Sequence, residues 1–211
     1  MAEIPHRRGA PMPGAEVLAE PLRSRWSPSV FDPAHVVGRE QVVALIRAAQ
    51  WAPSCGNAQP WHLVVAERGD ATHDLLVARL SRGNAGWVPR ASLVLVVGAQ
   101  VAPDDRGEGG TKPAHAEYDA GQAAAHVTLQ ARAMGLHAHQ FAGFDRTGLA
   151  ADLGAPPWVR LLAGIAVGVP GDLDDVPERD REREHRVRRR RPAEQWVHAG
   201  SWGTPWPGLE P

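Results

Sequence analysis

The stretch that decides the fold is Ala52-Pro53-Ser54-Cys55-Gly56-Asn57-Ala58-Gln59-Pro60-Trp61-His62. Before it, Glu40 to Trp51 places apolar side chains at helical spacing, and Pro53 ends that helix. After it, His62 to Glu67 has the pattern of a short β-strand. The stretch is therefore predicted to connect a helix to a strand, although a proline-terminated helix followed by an ordinary loop contains the same residue types.

Helical and strand patterns alternate along the rest of the chain. Asp70 to Leu80 is a second amphipathic helix with Asp70 as its N-cap, and Ser92 to Ala99 is a continuous apolar run typical of a strand buried on both faces. His115 to Met134 is a long alanine-rich helix ended by Gly135. Further elements are predicted as strands at Leu136 to Phe141 and Leu161 to Val169, with a short helix at Thr147 to Leu153. This order favours an α+β or mixed α/β sandwich with helices over a central sheet.

Length and composition limit the classes of protein that fit. The 211 residues suit one folded domain, residues 21–211, after a flexible N-terminal segment, residues 1–20. A net charge of −1 gives no reason to expect nucleic acid as a partner, and no apolar run approaches the roughly 20 residues of a membrane span. Residues 1–14 lack the apolar stretch of a secretory signal, and Cys55 is the single cysteine, so a reducing cytoplasm is expected.

Several common motifs do not occur in the sequence. No G-x-G-x-x-G follows a predicted strand, and there is no phosphate loop ending in G-K-[ST], no G-x-S-x-G and no H-E-x-x-H. His137 and His139 would share one face of a strand, as zinc ligands can, but no third ligand is spaced nearby. Two histidines at a strand surface or interface are the favoured interpretation, and no metal is predicted.

Three separated segments occur together in this chain. Arg23 to Pro33 reads RSRWSPSVFDP, the Ala52 to His62 stretch follows it, and Arg188 to Arg191 precedes a proline near the C-terminus. In this order they resemble the nitroreductase family of FMN enzymes. That family has an R-x-S-x-[RK]-x-F type motif, then A-P-S-x-x-N-x-Q-P-W, and later a basic R-x-P-like element. The resemblance spans roughly residues 21–206, and the Pro53 to Trp61 part is its most specific portion.

The resemblance implies a particular fold and assembly. The family fold is α+β, with a mixed central sheet flanked by helices in three layers, and it forms an intertwined homodimer with FMN at the interface. His115 to Met134 is then a candidate interface helix, because small side chains let backbones approach closely. An ordinary core helix explains the same composition.

The resemblance also assigns residues to the FMN phosphate. Arg25, with the Ser27 hydroxyl, would bind it from the first segment, and Arg188 and Arg190 would bind it from the last. A planar guanidinium suits a phosphate because it donates two parallel hydrogen bonds. The four consecutive arginines at 188–191 repel one another, which favours an anionic partner.

Other residues would surround the flavin ring. Cys55 is expected to pack beside the ring without reacting, and Asn57 would supply an amide that both donates and accepts. The turn Phe141, Ala142 and Gly143 would present backbone N–H groups to flavin N5. By the same resemblance, the partner subunit would contribute four of these residues: Pro53, Ser54, Cys55 and Asn57.

One position departs from the family pattern. Ser29 stands where the family commonly has arginine or lysine, although Trp26 and Ser29 are still expected to contact the cofactor. Either Arg23 or Arg90 supplies the positive charge that Ser29 lacks, or the substrate of this protein differs from the nitroaromatics of the family. Arg90 falls where the family often places a basic residue near the pyrimidine edge of the flavin.

The implied function is an FMN-dependent oxidoreductase. It would transfer hydride in a ping-pong cycle from NAD(P)H through flavin N5 to a small organic acceptor such as a nitroaromatic or a quinone. The flavin carries the chemistry, so no residue is named as a general acid or base. Two alternatives remain open, a flavin-dependent dehydrogenase of a biosynthetic pathway and a non-catalytic protein that binds or stores flavin.

Overall fold

Helices alternate with strands along most of the chain in the computed structural model, which describes residues 14–110, 112–186 and 188–208. The helices of these residues are α1 (Glu20–Ser24), α2 (Arg39–Gln50), α3 (Ala71–Ala78), α4 (Pro113–Ala133), α5 (Arg146–Asp152) and α6 (Glu178–Glu184). The strands are β1 (Trp61–Glu67), β2 (Leu93–Gln100), β3 (His137–Phe141) and β4 (Val159–Gly168). Short 3-10 turns lie at Cys55–Asn57, Val88–Arg90 and Ala193–Gln195.

The four strands form one sheet in the order β1-β2-β4-β3. All three neighbouring pairs are antiparallel, with Val65 opposite Leu95 and Leu95 opposite Ile165. The expectation of a mixed sheet is therefore wrong for the described part of this chain. The sequence pattern predicted most of the elements correctly, but a helix can return the chain to either end of a sheet, so alternation does not determine strand direction.

Strand β2 is buried on both faces, as its continuous apolar run predicts. Because successive side chains point to opposite faces, β2 divides its residues between two apolar clusters. Leu95 and Val97 pack with apolar residues of α2 and α4, whereas Val94 and Val96 pack with Trp87 and with apolar residues of α3 and α5. Strand β3, next to β4, contributes to both clusters, with Ala138 in the first and Phe141 in the second.

The ends of several elements follow the expected local chemistry. The Asp70 carboxylate accepts a hydrogen bond from the His73 backbone N–H at 2.6 Å, which confirms Asp70 as the N-cap of α3. Gly135 follows α4 with φ +79°, a conformation that glycine adopts without strain. The buried alanines of α4 pack on the sheet side in the first cluster, as in a core helix.

Helix α1 was not expected from the sequence. Its first residue, Glu20, is the last residue of the predicted flexible segment, of which residues 1–13 lie outside the described residues. Among the helices that the structure describes, none is long and apolar enough to cross a membrane.

Candidate functional site

The first and last motif segments meet at a cavity of about 430 Å³, here called the arginine cavity. This volume lies within the range of about 300 to 1,000 Å³ that small-molecule sites occupy. Six wall residues are ones that the sequence predicted for the cofactor: Arg25, Trp26, Ser27, Ser29, Arg188 and Arg190. Six more wall residues were not predicted: Asn84, Trp87, His139, Arg183, Glu184 and Arg186.

Helix α1 positions Arg25 at the wall. The Arg132 side chain of α4 reaches α1 twice: Nε donates to Ser24 Oγ at 2.7 Å, and Nη2 lies 3.4 Å from Glu20 Oε1. These contacts hold the last turn of α1 against α4, and Arg25 follows that turn directly. A helix of only five residues is not stable by itself, so its position depends on this docking.

The C-terminal segment closes the other side of the cavity. Arg188 Nη1 donates to the Arg25 carbonyl oxygen at 2.9 Å, and the Ser29 backbone N–H donates to Glu184 Oε2 at 2.6 Å. Both hydrogen bonds join residues more than 150 positions apart in the chain. Tertiary folding therefore assembles the two basic segments into one wall.

The electrostatics of this wall favour an anion. Burial, and then the nearby Arg190 guanidinium, lowers the pKa of Arg25. Burial, followed by the charges of Arg25 and Arg190, lowers the pKa of Arg188. Arg25 Nη2 reaches the Ser27 hydroxyl at 3.5 Å, but its buried Nε–H has no hydrogen-bond partner in the described residues. A bound anion would offset the repulsion and satisfy this donor.

An aromatic and amide chain leads from the arginine cavity to the 141–143 turn. The His139 ring stacks on Trp87 with centroids 4.3 Å apart, and Trp87 Nε1 donates to Asn84 Oδ1 at 3.1 Å. Asn84 Nδ2 in turn donates to the Gly143 carbonyl oxygen at 3.0 Å. His139 Nδ1 lies 2.7 Å from the Pro28 carbonyl oxygen, and burial lowers the pKa of this histidine. A neutral ring with its proton on Nδ1 fits both observations.

The turn at Gly143 is clamped against the 81–84 loop. The Ser81 backbone N–H also donates to the Gly143 carbonyl oxygen, at 3.0 Å. A Cβ atom at position 143 would lie 2.6 Å from Ser81 Oγ and 2.7 Å from Asn84 Nδ2, closer than real contacts allow. A larger residue here would displace the Ser81 hydroxyl and the Asn84 amide that packs on this turn. The neighbouring Phe141 is buried and packs edge-to-face on Trp87, with ring centroids 5.7 Å apart.

Besides the 141–143 turn, two further groups of predicted residues are not part of the arginine-cavity wall. Arg90 Nε donates to the Phe31 carbonyl oxygen at 3.3 Å, which directs the guanidinium toward the backbone of the first segment. Pro53, Cys55 and Asn57 are exposed, and Asn57 lines a separate surface cavity of about 500 Å³ together with residues of α2.

The Pro53 to Gln59 segment, here called the exposed loop, has an unusual backbone. Gly56, Asn57 and Gln59 all have positive φ, at 58°, 57° and 50°. Non-glycine residues in this region carry strain and persist only where surrounding contacts hold them. One such contact comes from the buried Asp119 of α4, whose Oδ2 accepts from the Cys55 backbone N–H at 3.0 Å.

The two strand histidines do not form part of a metal cluster. His137 packs edge-to-face against Trp26 and His139 stacks on Trp87. Within the described ranges, no group of three or more histidine, cysteine, aspartate or glutamate side chains could hold a metal ion.

The unpredicted wall residues carried weak sequence signals. Asn84 and Trp87 lie in a loop without a recognisable motif, and His139 looked like an ordinary strand residue. Arg183, Glu184 and Arg186 lie in an alternating charge run that is typical of a solvated helix. Only the packing of β3 and the 83–88 loop against the two basic segments shows that these residues share one site.

Comparison with known proteins identifies the family. The model of the "Nitroreductase family" matches residues 22–81 and 70–169. An uncharacterized 15.4 kDa protein of Mycolicibacterium smegmatis is 38% identical over 140 residues, which cover 66% of this chain and 90% of that protein. An oxygen-insensitive NAD(P)H nitroreductase of Salmonella typhimurium is 37% identical over 87 residues, covering 38% of each chain.

A solved structure extends the match to most of the fold. A crystal structure described as an oxidoreductase containing FMN, 31% identical in sequence, superposes with a TM-score of 0.80 over 90% of this chain and 95% of its own. The family match spans well over half of the residues. The chain belongs to the nitroreductase family and has its α+β fold.

Proposed function

We propose that this chain is an FMN-dependent oxidoreductase that moves hydride from NAD(P)H to a small organic acceptor, such as a nitroaromatic or a quinone, in a ping-pong cycle. The observation that carries the proposal is the convergence of Arg25, Arg188 and Arg190 on one cavity, with the buried Arg25 Nε–H lacking a protein partner in the described residues. Two relatives support it, since one is an oxidoreductase containing FMN and one is an NAD(P)H nitroreductase.

The residues of the arginine cavity fit the phosphate end of FMN. Three guanidinium groups and the Ser27 hydroxyl offer charge-assisted and neutral hydrogen bonds to a phosphate dianion. Trp26 and Ser29 line the same wall and would contact the adjoining part of the cofactor. When bound, FMN supplies the redox chemistry, accepting hydride from the donor and delivering it to the acceptor.

The clamped turn would orient backbone donors toward the flavin. Ser81 and Asn84 both hold the Gly143 carbonyl oxygen, which fixes the peptide group between Gly143 and Phe144 and anchors the end of the 141–143 turn. We propose that N–H groups of this turn face flavin N5. A donor that is fixed before the reaction stabilises developing charge without reorganisation.

The proposed assembly is an intertwined homodimer with helices on both faces of the sheet in three layers. In this assembly Pro53, Ser54, Cys55 and Asn57 of the exposed loop contact the flavin held by the other chain. Two features support it: these residues lie outside the arginine cavity of their own chain, and the adjacent Trp51 side chain is 81% exposed. So large an exposed aromatic is typical of an interface.

Two further parts of the proposal rest on sequence grounds. Arg90 remains a candidate for the pyrimidine edge, which would require its Nε to leave the Phe31 carbonyl oxygen. A single cysteine and a net charge of −1 favour a cytoplasmic protein that acts on small molecules, without nucleic acid or a membrane as partner.

The test is the flavin itself. Purified protein should be yellow and should release FMN rather than FAD on denaturation, and anaerobic NADH or NADPH should bleach the oxidised flavin spectrum. Protein that gains no flavin spectrum on mixing with FMN would overturn the proposal. Bound FMN that neither nicotinamide reduces would instead favour the dehydrogenase or the storage alternative.

A further inference from the structure

The arginine cavity carries more positive charge than one phosphate requires. Five arginines and one glutamate line it, which gives the wall a formal charge of +4. A phosphate monoester brings close to two negative charges at pH 7. A net charge of about +2 therefore remains at the wall after FMN binds, and this charge attracts a second anion.

Four of these five arginines can be distinguished by their interactions. Burial lowers the pKa values of Arg25 and Arg188, and the mutual proximity of Arg25, Arg188 and Arg190 lowers them further. Arg183 is instead attached to the loop that contains Gly83. Its Nη1 donates to the Gly83 carbonyl oxygen at 3.2 Å, and its charge, together with that of Arg25, lowers the pKa of His139 after the larger effect of burial.

Arg183 has donors left for a ligand. A guanidinium carries five N–H donors, and in the described part of the chain the Arg183 side chain makes only the Gly83 hydrogen bond and no ion pair within 4.0 Å. The carboxylate beside it, Glu184, accepts from the Ser29 backbone N–H at 2.6 Å and so is engaged with the first basic segment.

The position of Arg183 places these donors near the proposed reaction centre. Gly83 precedes Asn84, and Asn84 holds the turn that we propose faces flavin N5. A molecule that reaches that turn from the cavity would come within reach of Arg183.

We infer that Arg183 binds an anionic group, a carboxylate or a phosphate, on the second molecule that reacts at this site. The inference rests on the proposed function and narrows its substrate class. The anionic group belongs either to the acceptor or to the nicotinamide donor, whose 2′-phosphate distinguishes NADPH from NADH. Arg183 is thus a specificity-determining residue.

The experiment compares Arg183→Gln with Arg179→Gln. Arg179 lies on the same helix α6 and outside the arginine-cavity wall, so both variants lose one positive charge. The acceptor arm compares kcat/KM for 4-nitrobenzoate and 4-nitrobenzyl alcohol, and the donor arm compares NADPH with NADH. Calorimetric titration of benzoate into FMN-loaded and FMN-free protein measures anion binding without turnover.

In Arg183→Gln we expect benzoate binding to weaken about tenfold, as for a lost charge-assisted hydrogen bond, with Arg179→Gln unchanged. The ratio of kcat/KM for 4-nitrobenzoate to that for 4-nitrobenzyl alcohol, or the ratio for NADPH to that for NADH, should also fall about tenfold. The ratio that falls shows whether the anionic group belongs to the acceptor or to the nicotinamide donor. Unchanged benzoate binding with both preferences intact would overturn the inference. Failure of the protein to bind FMN would overturn the proposed function. The benzoate titration of FMN-free protein would still test whether Arg183 binds an anion.

Discussion

The arginine cavity and the exposed loop are built in opposite ways. The cavity is assembled within one chain, by hydrogen bonds between residues more than 150 positions apart. The loop is held by its own chain at Cys55 and Ser54, while Pro53, Cys55 and Asn57 remain exposed.

This difference indicates how the proposed site divides between two chains. A cavity whose wall residues all come from one chain can bind the phosphate without residues of a second chain. A strained, exposed loop that is held at its base has the properties of a preformed surface for another molecule, because the strain has been compensated before contact. Together they predict that phosphate binding depends on one chain and ring contact on the other.

Breaking the arginine cavity should have the largest effect. Arg25→Ala and Arg190→Ala should each weaken FMN binding by about 1.5 to 3 kcal/mol, or roughly 10- to 150-fold, since each removes a charged partner of the phosphate. Fluorescence titration of FMN into FMN-free protein measures this effect. Arg189→Ala is the matched control, because Arg189 is a neighbouring arginine outside the wall. Equal affinity in all three variants would contradict the phosphate assignment.

Mixing two defective chains tests whether the exposed loop serves the partner. Asn57→Gly removes the amide at a positive-φ position without backbone strain. A hybrid of an Arg25→Ala chain and an Asn57→Gly chain has one doubly defective site and one intact site. Equimolar, randomly assorted mixtures should therefore recover about a quarter of wild-type activity, because half of the dimers are hybrids. If the loop served its own chain, each hybrid site would carry one defect and mixing would restore nothing.

Loosening the base of the exposed loop should have a smaller effect. Asp119→Ala removes the acceptor of the Cys55 backbone N–H, at a cost of about 1 kcal/mol of unfolding free energy. Iodoacetamide should then alkylate Cys55 faster, which mass spectrometry of FMN-free protein would show. Asp119→Asn is the control, since its amide oxygen still accepts a hydrogen bond. Alkylation at the wild-type rate in Asp119→Ala would mean that other contacts hold the loop.

Changing the Cys55 side chain should have the smallest effect. Cys55→Ser keeps the backbone N–H that donates a hydrogen bond to Asp119, and the exposed Cys55 thiol has no proposed role in the reaction. We expect unfolding free energy within about 0.5 kcal/mol of wild type and nearly unchanged turnover. Loss of turnover with FMN still bound would show that the thiol takes part in the reaction.

Local patterns in the sequence were enough for most elements. The apolar run of β2, the Asp70 cap of α3 and the glycine after α4 each act through neighbouring residues, so their structures follow from short stretches of chain. Residue order also pointed to the family, through the Pro53 to Trp61 segment, and to Arg25, Ser27, Arg188 and Arg190 as companions in one site.

Contacts between distant residues decided the rest. The sheet is antiparallel because α3 and α5 each join strands of opposite direction, whereas α4 joins β2 to β3, which run the same way but lie on either side of β4. Alternation of elements does not encode this arrangement. Helix α1 is stabilised by the contact between Arg132 and Ser24. Its five residues form too short a helix to be predicted from their own sequence. Packing alone places Asn84, His139 and Arg183 in the wall of the arginine cavity. A strand histidine and a helix arginine look the same in sequence whether they face solvent or a cavity.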